Sequence, residues 1–550
     1  MKFTFDGTPV EARQGETIAA ALTRAGISAL GRRRDGAPRG IFCGMGVCQE
    51  CVVHVDGLPS RRACMEIVAD GMATAAQNYA PSLPPASTVA AQPATVKPVQ
   101  VLVVGAGAAG LAAAYAAALC GARVTVVDER AKPGGQYFKQ RVGAESVDAQ
   151  MREGRELIAK VAAAGVEFLA DATVWGAFGP QELAATVAGA QCVFAPERLV
   201  LAAGAYERGV PLPGWTLPGY MTTGAAQTLL RAYGVVPGRR MVVGGNGPLN
   251  FQLAAELVRA GADIAAVVET SNPSSQLASL IDAARASPRL IAQGLGYVAR
   301  LRRARVPIYY QSAVIAAHGT THVESCTVAR IDASGQPEMQ TASKLVADAI
   351  CGGYGFLPAN EIARALGCRH DLDSEGRLAT IVDFDGLTTL PGVYAIGDAA
   401  AFRGAQVARC QGFVTGCAVA RSLGLAVPAP ALRELGTARP QLAQHLSFQR
   451  ALWRTFAAPV VRTQLARHDT IVCRCENVTY AEVEDAIGSS ATTLGAIKRR
   501  TRAGMGRCQG RYCESIVASL LPQSAGAARD ERFAFAPRAP IKPIRIKDLV

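Results

Sequence analysis

The sequence predicts an α/β fold with two glycine-turn units at its centre and a small cysteine-bearing module at either end. Three observations carry that prediction. Residues 101–128, VLVVGAGAAGLAAAYAAALCGARVTVVD, read as an apolar strand, a glycine turn, an Ala-rich helix and a second apolar strand. Residues 241–269, MVVGGNGPLNFQLAAELVRAGADIAAVVE, repeat that order. Eight of the fifteen cysteines fall in two tight groups, within 43–64 and 473–513, outside both units.

In the first unit Gly105 permits the tight turn, Gly107 lets backbone approach a pyrophosphate and Gly110 lets helix and strand pack closely. Asp128, 23 residues after Gly105 and followed by Glu129, can accept from a ribose hydroxyl. Free amides at the helix start would hold the phosphates. The rival reading is a glycine turn before a core helix, but strand, helix and acid all stand in register for a dinucleotide cradle. Gly134, Gly135 and Gln136, in KPGGQYF, offer a second close backbone approach. Residues 199–205, LVLAAGA, form an apolar strand ending at Ala203 and Gly204, and residues 388–400 one ending at Gly397 and Asp398. The second unit keeps Gly245 and Gly247, but Asn250 stands where the third glycine belongs. A side chain there is expected to push helix from strand and narrow the cradle. That unit either binds a nicotinamide or adenine nucleotide (NAD or ATP), with Glu269 at the ribose, or keeps the fold and binds nothing.

At 550 residues the chain has room for three or four domains, and its 50% hydrophobic content is ample for their cores. The net charge of +13 is scattered apart from 32–34, 498–502 and 538–547, so it suggests help for phosphate-bearing cofactors or an acidic partner, not nucleic acid. Residues 1–18 alternate polar and apolar without a signal core. The uncharged run 101–122 is explained by its glycine turn, not by a membrane span. A cytoplasmic protein is expected, with peripheral membrane association left open. Fifteen cysteines in that setting argue for metal or redox use over a disulfide scaffold; the seven dispersed ones read as small core residues. Six histidines form no acid–base constellation, and no catalytic proton-transfer residue is assigned.

Residues 1–80 open with a strand pair on an Asp-Gly turn and a short helix through Ala25, a small mixed sheet. Cys43, Cys48, Cys51 and Cys64 follow with gaps of four, two and twelve residues, the C-x4-C-x2-C…C run of a plant-type [2Fe-2S] site. Zinc is the rival, although it favours paired short knuckles. Residues 81–98 read as a Pro-, Ala- and Ser-rich linker, and 431–468 as a helical connector between domains. In 469–525, Cys473 and Cys475 are followed after 32 residues by Cys508 and Cys513, with helices between, the first opened by Thr479 and Glu482. Four thiolates there suit iron–sulfur or zinc. The basic, proline-rich tail 526–550 reads as a packing segment.

Residues 101–128, 199–205 and 388–400 together resemble the two-dinucleotide-domain flavoprotein disulfide-reductase superfamily. That resemblance implies FAD on Gly105, Gly107, Gly110 and Asp128, with Asp398 at the ribityl chain. It also implies an FAD-binding domain at 99–235 and 345–430 around an NAD-like Rossmann domain at 236–344. No CxxC pair lies near this core, so a disulfide reductase would lack its dithiol. The first module resembles a β-grasp ferredoxin, and the last resembles the bacterioferritin-associated-ferredoxin-like (BFD-like) helical [2Fe-2S] domain. In this order, with GIFCGMGVC, RACM, GGQ and PGWTLPG, the chain resembles the α (A) subunits of heteromeric amino-acid dehydrogenases and oxidases. The family implies a D-amino-acid-oxidase-like FAD β subunit that oxidises the substrate, an amino acid or opine. It assigns this chain the relay of electrons through FAD and two [2Fe-2S] clusters, and leaves room for FMN at the subunit junction. Two other readings stand beside it: a self-contained NADH-dependent reductase feeding an oxygenase, and an iron–sulfur assembly or sensing protein on a flavin scaffold.

Overall fold

The computed structural model describes residues 1–81, 94–143, 148–373, 375–521 and 534–546. At the N-terminus a five-stranded sheet runs in the order Thr8–Glu11, Lys2–Phe5, Ala73–Ala76, Val52–Val55, Leu58–Arg62. Lys2–Phe5 is antiparallel to Thr8–Glu11 and parallel to Ala73–Ala76. The two-residue turn Asp6–Gly7 has φ of 48° and 76°, the left-handed pair that a tight hairpin needs. The helix Ile18–Arg24, capped by Thr17, buries Ile18, Ala20 and Leu22 against the sheet to complete a β-grasp.

The first central sheet has seven strands. Thr95–Val104 pairs in parallel with Val124–Val127 on one side and Ala190–Leu201 on the other. Glu167–Leu169 and Val393–Ala395 extend it, and two antiparallel strands, Glu182–Val187 and Ala172–Gly179, follow. The helix Ala108–Leu119 packs against Ala405–Ser422 at backbone distance. A Cβ on Gly412 would stand 2.2 Å from the Ala109 carbonyl oxygen, and one on Gly416 2.3 Å from that of Ala113. The uncharged run 101–122 is thus a buried strand, turn and helix, and among the described residues no helix is long and apolar enough to cross a membrane.

The second central sheet is wholly parallel, in the order Tyr220–Thr222, Ala349–Gly353, Arg240–Gly245, Asp263–Glu269, Ile308–Tyr310. Its membership moves the expected boundaries: Tyr220–Thr222, the helix Thr223–Tyr233 and Ala349–Gly353 lie with this unit, not with the first. The stretch ADAICGG is apolar on both faces, so its pattern fits a central strand of either sheet; pairing with Met241–Gly245 decides it. The linker ends earlier than 98, because Thr95 already pairs with Cys192; residues 82–93 lie outside the described residues.

Ala429–Thr455 is a single helix lying against Leu277–Ala286 of the second unit and Ala405–Ser422 of the first, the bridging place expected for the connector. Beyond it a short hairpin, Ile471–Cys473 with Val478–Thr479, leads into helices Tyr480–Gly488, Leu494–Thr501 and Glu514–Leu520. Thr479 and Glu482 form a reciprocal capping box. In the tail Ile541 is buried in the first unit's core, its amide donating to the Trp175 carbonyl at 2.7 Å.

Candidate redox sites

Three distant glycine turns close around the start of the helix Ala108–Leu119. Gly105, at φ 108°, lies so near the neighbouring strand that a Cβ would meet the Ala202 carbonyl oxygen at 2.4 Å, and one on Gly110 the Gly105 oxygen at 1.9 Å. Gly135, at φ 60°, faces Gly107 with 2.7 Å between a would-be Cβ and the Gly107 Cα; a Cβ on Gly397, also at φ 60°, would stand 2.8 Å from the Ala109 Cβ. The helix N-cap is Gly107, with no side chain over the first amides, a cradle suited to phosphate. Asp128 accepts from the Ala106 amide at 2.7 Å and the Arg130 amide at 2.9 Å, so it first fixes the turn. Each of its oxygens keeps a lone pair for a ribose hydroxyl. Ala203 and Gly204 follow the strand Ala190–Leu201, on the other side of Thr95–Val104 from Asp128, the Gly204 carbonyl accepting from the Ala359 amide. Asp398 accepts from the Arg403 and Gly404 amides at 2.9 Å each, and burial pushes its carboxyl up. These free amides, glycines and paired carboxylates fit the pyrophosphate and polyol of FAD.

One expected cofactor residue is placed otherwise. Glu129 pairs with Arg62 of the β-grasp module at 3.3 Å and with Lys542 of the tail, so it joins three parts of the chain. Sequence position beside Asp128 suggested a ribose contact, but its side chain leaves the turn toward these two cations. Gln136 accepts at 2.6 Å from Lys139, which also donates to Thr228 at 2.6 Å. Lys139 was not expected at the site; burial holds its ammonium well below the usual range, with Arg130 and Arg231 adding.

The second glycine turn is filled from inside the protein. Glu269 is fully buried and accepts from the Gly247 amide (2.9 Å), the Asn246 side chain (3.0 Å) and both the amide and hydroxyl of Ser271. Burial pushes its carboxyl up to about 7 against those bonds. It therefore holds the turn from inside the protein, with no exposed surface to offer a ribose. From the other side Trp453, at the end of the connector helix, stands 3.4 Å from the Cβ position of Gly247, and the Phe456 carbonyl accepts from the Asn246 side-chain Nδ2 at 3.0 Å. Asn250 does not wedge the helix away: its amide donates to the Gly353 carbonyl at 3.0 Å and accepts from the Thr223 hydroxyl at 2.8 Å. Space for it comes from Gly353, where a Cβ would lie 2.4 Å from the Asn250 Oδ1.

The four N-terminal cysteines are buried and fall into two side-chain pairs, Cys43 with Cys48 and Cys51 with Cys64. Amides of Met45 and Cys48 point at the Cys43 sulfur at 3.5 and 3.3 Å, and that of Glu50 at Cys48 at 3.4 Å. Burial alone would raise the Cys43 thiol, but hydrogen bonds from Cys48 and the loop amides carry it down to about 6. Two pairs of sulfurs ringed by amides fit a two-iron cluster better than a single zinc, whose ligands surround one point. In the C-terminal module the Cys473 and Cys475 sulfurs are 3.9 Å apart, those of Cys475 and Cys508 3.8 Å, and the thiols of Cys513 and Cys473 are hydrogen-bonded.

The N-terminal cysteine loop rests on the second unit. The Phe42 carbonyl accepts from Thr222 at 2.9 Å, and the Cβ position of Gly44 lies 2.9 Å from the Ala225 Cα. The helix Thr223–Tyr233 thus touches the cysteine loop at its start and Lys139, beside Gln136, through Thr228. Glu207, fully buried, accepts from the Gly224 amide at 2.8 Å. Burial pushes it up to about 7. Neither Glu207 nor Lys139 has a sequence signal, because each acts through residues far along the chain.

Two nucleotide-type units, a β-grasp module before them and a small helical cysteine module behind define an FAD- and iron–sulfur-binding oxidoreductase. The profile of the pyridine nucleotide-disulphide oxidoreductase family matches residues 99–412, that of the 2Fe-2S iron-sulfur cluster binding domain residues 1–79, and that of the BFD-like [2Fe-2S] binding domain residues 471–523. The A subunit of opine oxidase from Agrobacterium tumefaciens (strain Ach5) is 33% identical over 475 residues, 82% of this chain and 90% of that one. Hydrogen cyanide synthase subunit HcnB of Pseudomonas protegens is 31% identical over 452 residues, 80% and 96% of the two chains. The crystal structure of L-proline dehydrogenase from P. horikoshii shares the fold, with a TM-score of 0.74 at 20% identity over 100% of this chain and 97% of that one. The chain belongs to the pyridine nucleotide-disulphide oxidoreductase family, in the group that includes hydrogen cyanide synthase subunit HcnB and the opine oxidase A subunit.

Proposed function

We propose that this chain is the electron-handling subunit of a heteromeric amino-acid or opine dehydrogenase or oxidase. In this reading the carbon–nitrogen bond is oxidised on a partner flavoprotein resembling D-amino-acid oxidases. The observation that carries it is the second glycine turn. With Glu269 bonded inward and Trp453 laid over Gly247, that turn offers a nicotinamide nucleotide neither a free acid nor an open backbone. Reducing equivalents then reach the FAD site from another polypeptide. The relatives support this, since two of them are named as subunits.

Bound FAD would exchange electron pairs with a donor and single electrons with iron–sulfur clusters, the conversion such a relay needs. The chain's residues supply position. Amides at the start of the helix Ala108–Leu119 would hold the pyrophosphate, Asp128 and Asp398 would fix the two sugar-like segments, and Gln136 with Lys139 borders the helix Thr223–Tyr233, which touches the first cysteine loop. Cys43, Cys48, Cys51 and Cys64, and Cys473, Cys475, Cys508 and Cys513, would ligate the two clusters.

The test is to purify the chain alone and in complex with the flavoprotein partner, then follow flavin bleaching by NADH and dye reduction by D-amino acids and N-substituted amino acids. The expected result is no rapid bleaching by NADH and substrate-dependent dye reduction only with both chains present. Rapid bleaching of the isolated chain by NADH would contradict the reading and favour a self-contained reductase.

A further inference from the structure

The two cysteine sites, more than four hundred residues apart in sequence, are neighbours in space. A cavity of about 10 Å³, room for about one water, lies between them. Cys48 and Glu50 line one side of it, and Arg474, Cys475, Cys508 and Tyr512 line the other. With so little solvent between the sites, charge on one is weakly screened from the other.

Arg474 is the side chain that joins them. It is 6% exposed, its guanidinium stacks 4.0 Å from the Phe42 ring and 4.9 Å from the Trp215 ring, and it pairs with Glu50 at 3.3 Å. One terminal nitrogen donates to the Trp215 carbonyl. Phe42 and Glu50 belong to the first cysteine loop, whereas Arg474 sits between Cys473 and Cys475 of the second. The cation is therefore fixed by one module and carried by the other. Its Nε–H has no acceptor among the described residues, and neither has the hydroxyl of Tyr512, which is 3% exposed and stands one residue before Cys513. Buried donors are seldom left without an acceptor. The acceptors lining this cavity are cysteine sulfurs and the Glu50 carboxylate, and the carboxylate is already engaged by an Arg474 terminal nitrogen.

We propose that Arg474 and Tyr512 are positioning residues shared by both iron–sulfur sites. They donate to sulfur across the cavity, and the fixed guanidinium charge shifts the redox potential of both sites together. The proposal rests on the reading that both cysteine sets hold [2Fe-2S]. Donors and positive charge beside a cluster favour its reduced, more negative form, so losing either lowers its potential. The shared position predicts that one substitution moves two potentials.

The experiment uses the full chain purified anaerobically, with iron and sulfide measured first, then a reductive titration followed by electron paramagnetic resonance. In the unaltered protein the fully reduced spectrum should show splitting or broadening absent from the half-reduced one. Arg474→Gln should lower the reduced-to-oxidised ratio at a fixed applied potential on the order of tenfold at both sites. Tyr512→Phe should lower both by less, and Arg474→Lys, which keeps the charge, should recover part of the loss. A fully reduced spectrum equal to the sum of two independent signals, or an Arg474→Gln effect confined to the C-terminal site, overturns the proposal. If Arg474→Gln loses iron, the unaltered spectrum and Tyr512→Phe decide. Lack of iron at either site in the unaltered chain would instead overturn the functional reading on which the proposal stands.

Discussion

At the residue scale the two glycine turns that face each other set the tightest constraint. Alanine at Gly135 would need φ of 60° and would place its Cβ 2.7 Å from the Gly107 Cα, backbone that cannot move aside. Gly135→Ala should weaken FAD binding at least about tenfold, ~1.4 kcal/mol, read as flavin absorbance per protein after dialysis. Glu207 gives a pH test. Its carboxyl is raised from 4.5 to about 7 by burial, so its contribution to stability is fully present below about pH 4.5 and lost as pH rises through 7. Glu207→Gln keeps an acceptor for the Gly224 amide without the charge. Relative to the parent, its melting temperature should gain between pH 5 and pH 8, by up to roughly 3 kcal/mol of stability. A parallel pair of melting curves over that range would refute this. The cysteines and the first glycine triplet were legible because their function lies in short-range spacing. Glu207, Lys139 and Arg474 were not, because their partners Gly224, Thr228 and Glu50 stand up to hundreds of residues away. Glu129 misled for the same reason: adjacency to Asp128 says nothing of Arg62 or Lys542.

At the scale of elements, the connector helix Ala429–Thr455 does more than join domains. Its Leu435 and Leu442 pack on the first unit, whereas Leu432 is 53% exposed. Its far end brings Trp453 between Gly247 and Phe402, 5.6 Å from that ring, and this could not be read from a helix with no motif. The turn it covers is braced by Glu269. Glu269→Ala would leave the Gly247 amide, the Asn246 side chain and Ser271 without their acceptor, at about 1–3 kcal/mol for each buried donor left unmade. A fall of several degrees in melting temperature with flavin content unchanged is expected; loss of flavin would mean that this turn serves the cofactor after all. The cysteine loops make a second element-scale test. Cys51→Ser and Cys508→Ser should each remove about half of the iron, and the double variant nearly all, by elemental analysis.

Across the whole molecule, the order of modules was written in the sequence and their mutual packing was not. Glycine turns, an Asp-Gly hairpin and a capping box each announce a local structure. The boundary between the two central units is a matter of which sheet an apolar strand joins, and Ala349–Gly353 joined the second because Met241–Gly245 offered a parallel edge. Likewise, one hydrophobic core runs through Phe42 and Cys48, Trp215 and Val314, and Cys473 and Ile516, uniting both cysteine modules with the second unit. The reading of function depends on that single body holding one flavin site and two iron–sulfur sites. The most direct test is therefore a quantitative assay of flavin, iron, acid-labile sulfide and zinc on the anaerobically purified chain. About one FAD with about four irons and four sulfides per chain is the predicted result. Zinc at both cysteine sites, with little iron or sulfide, would contradict it.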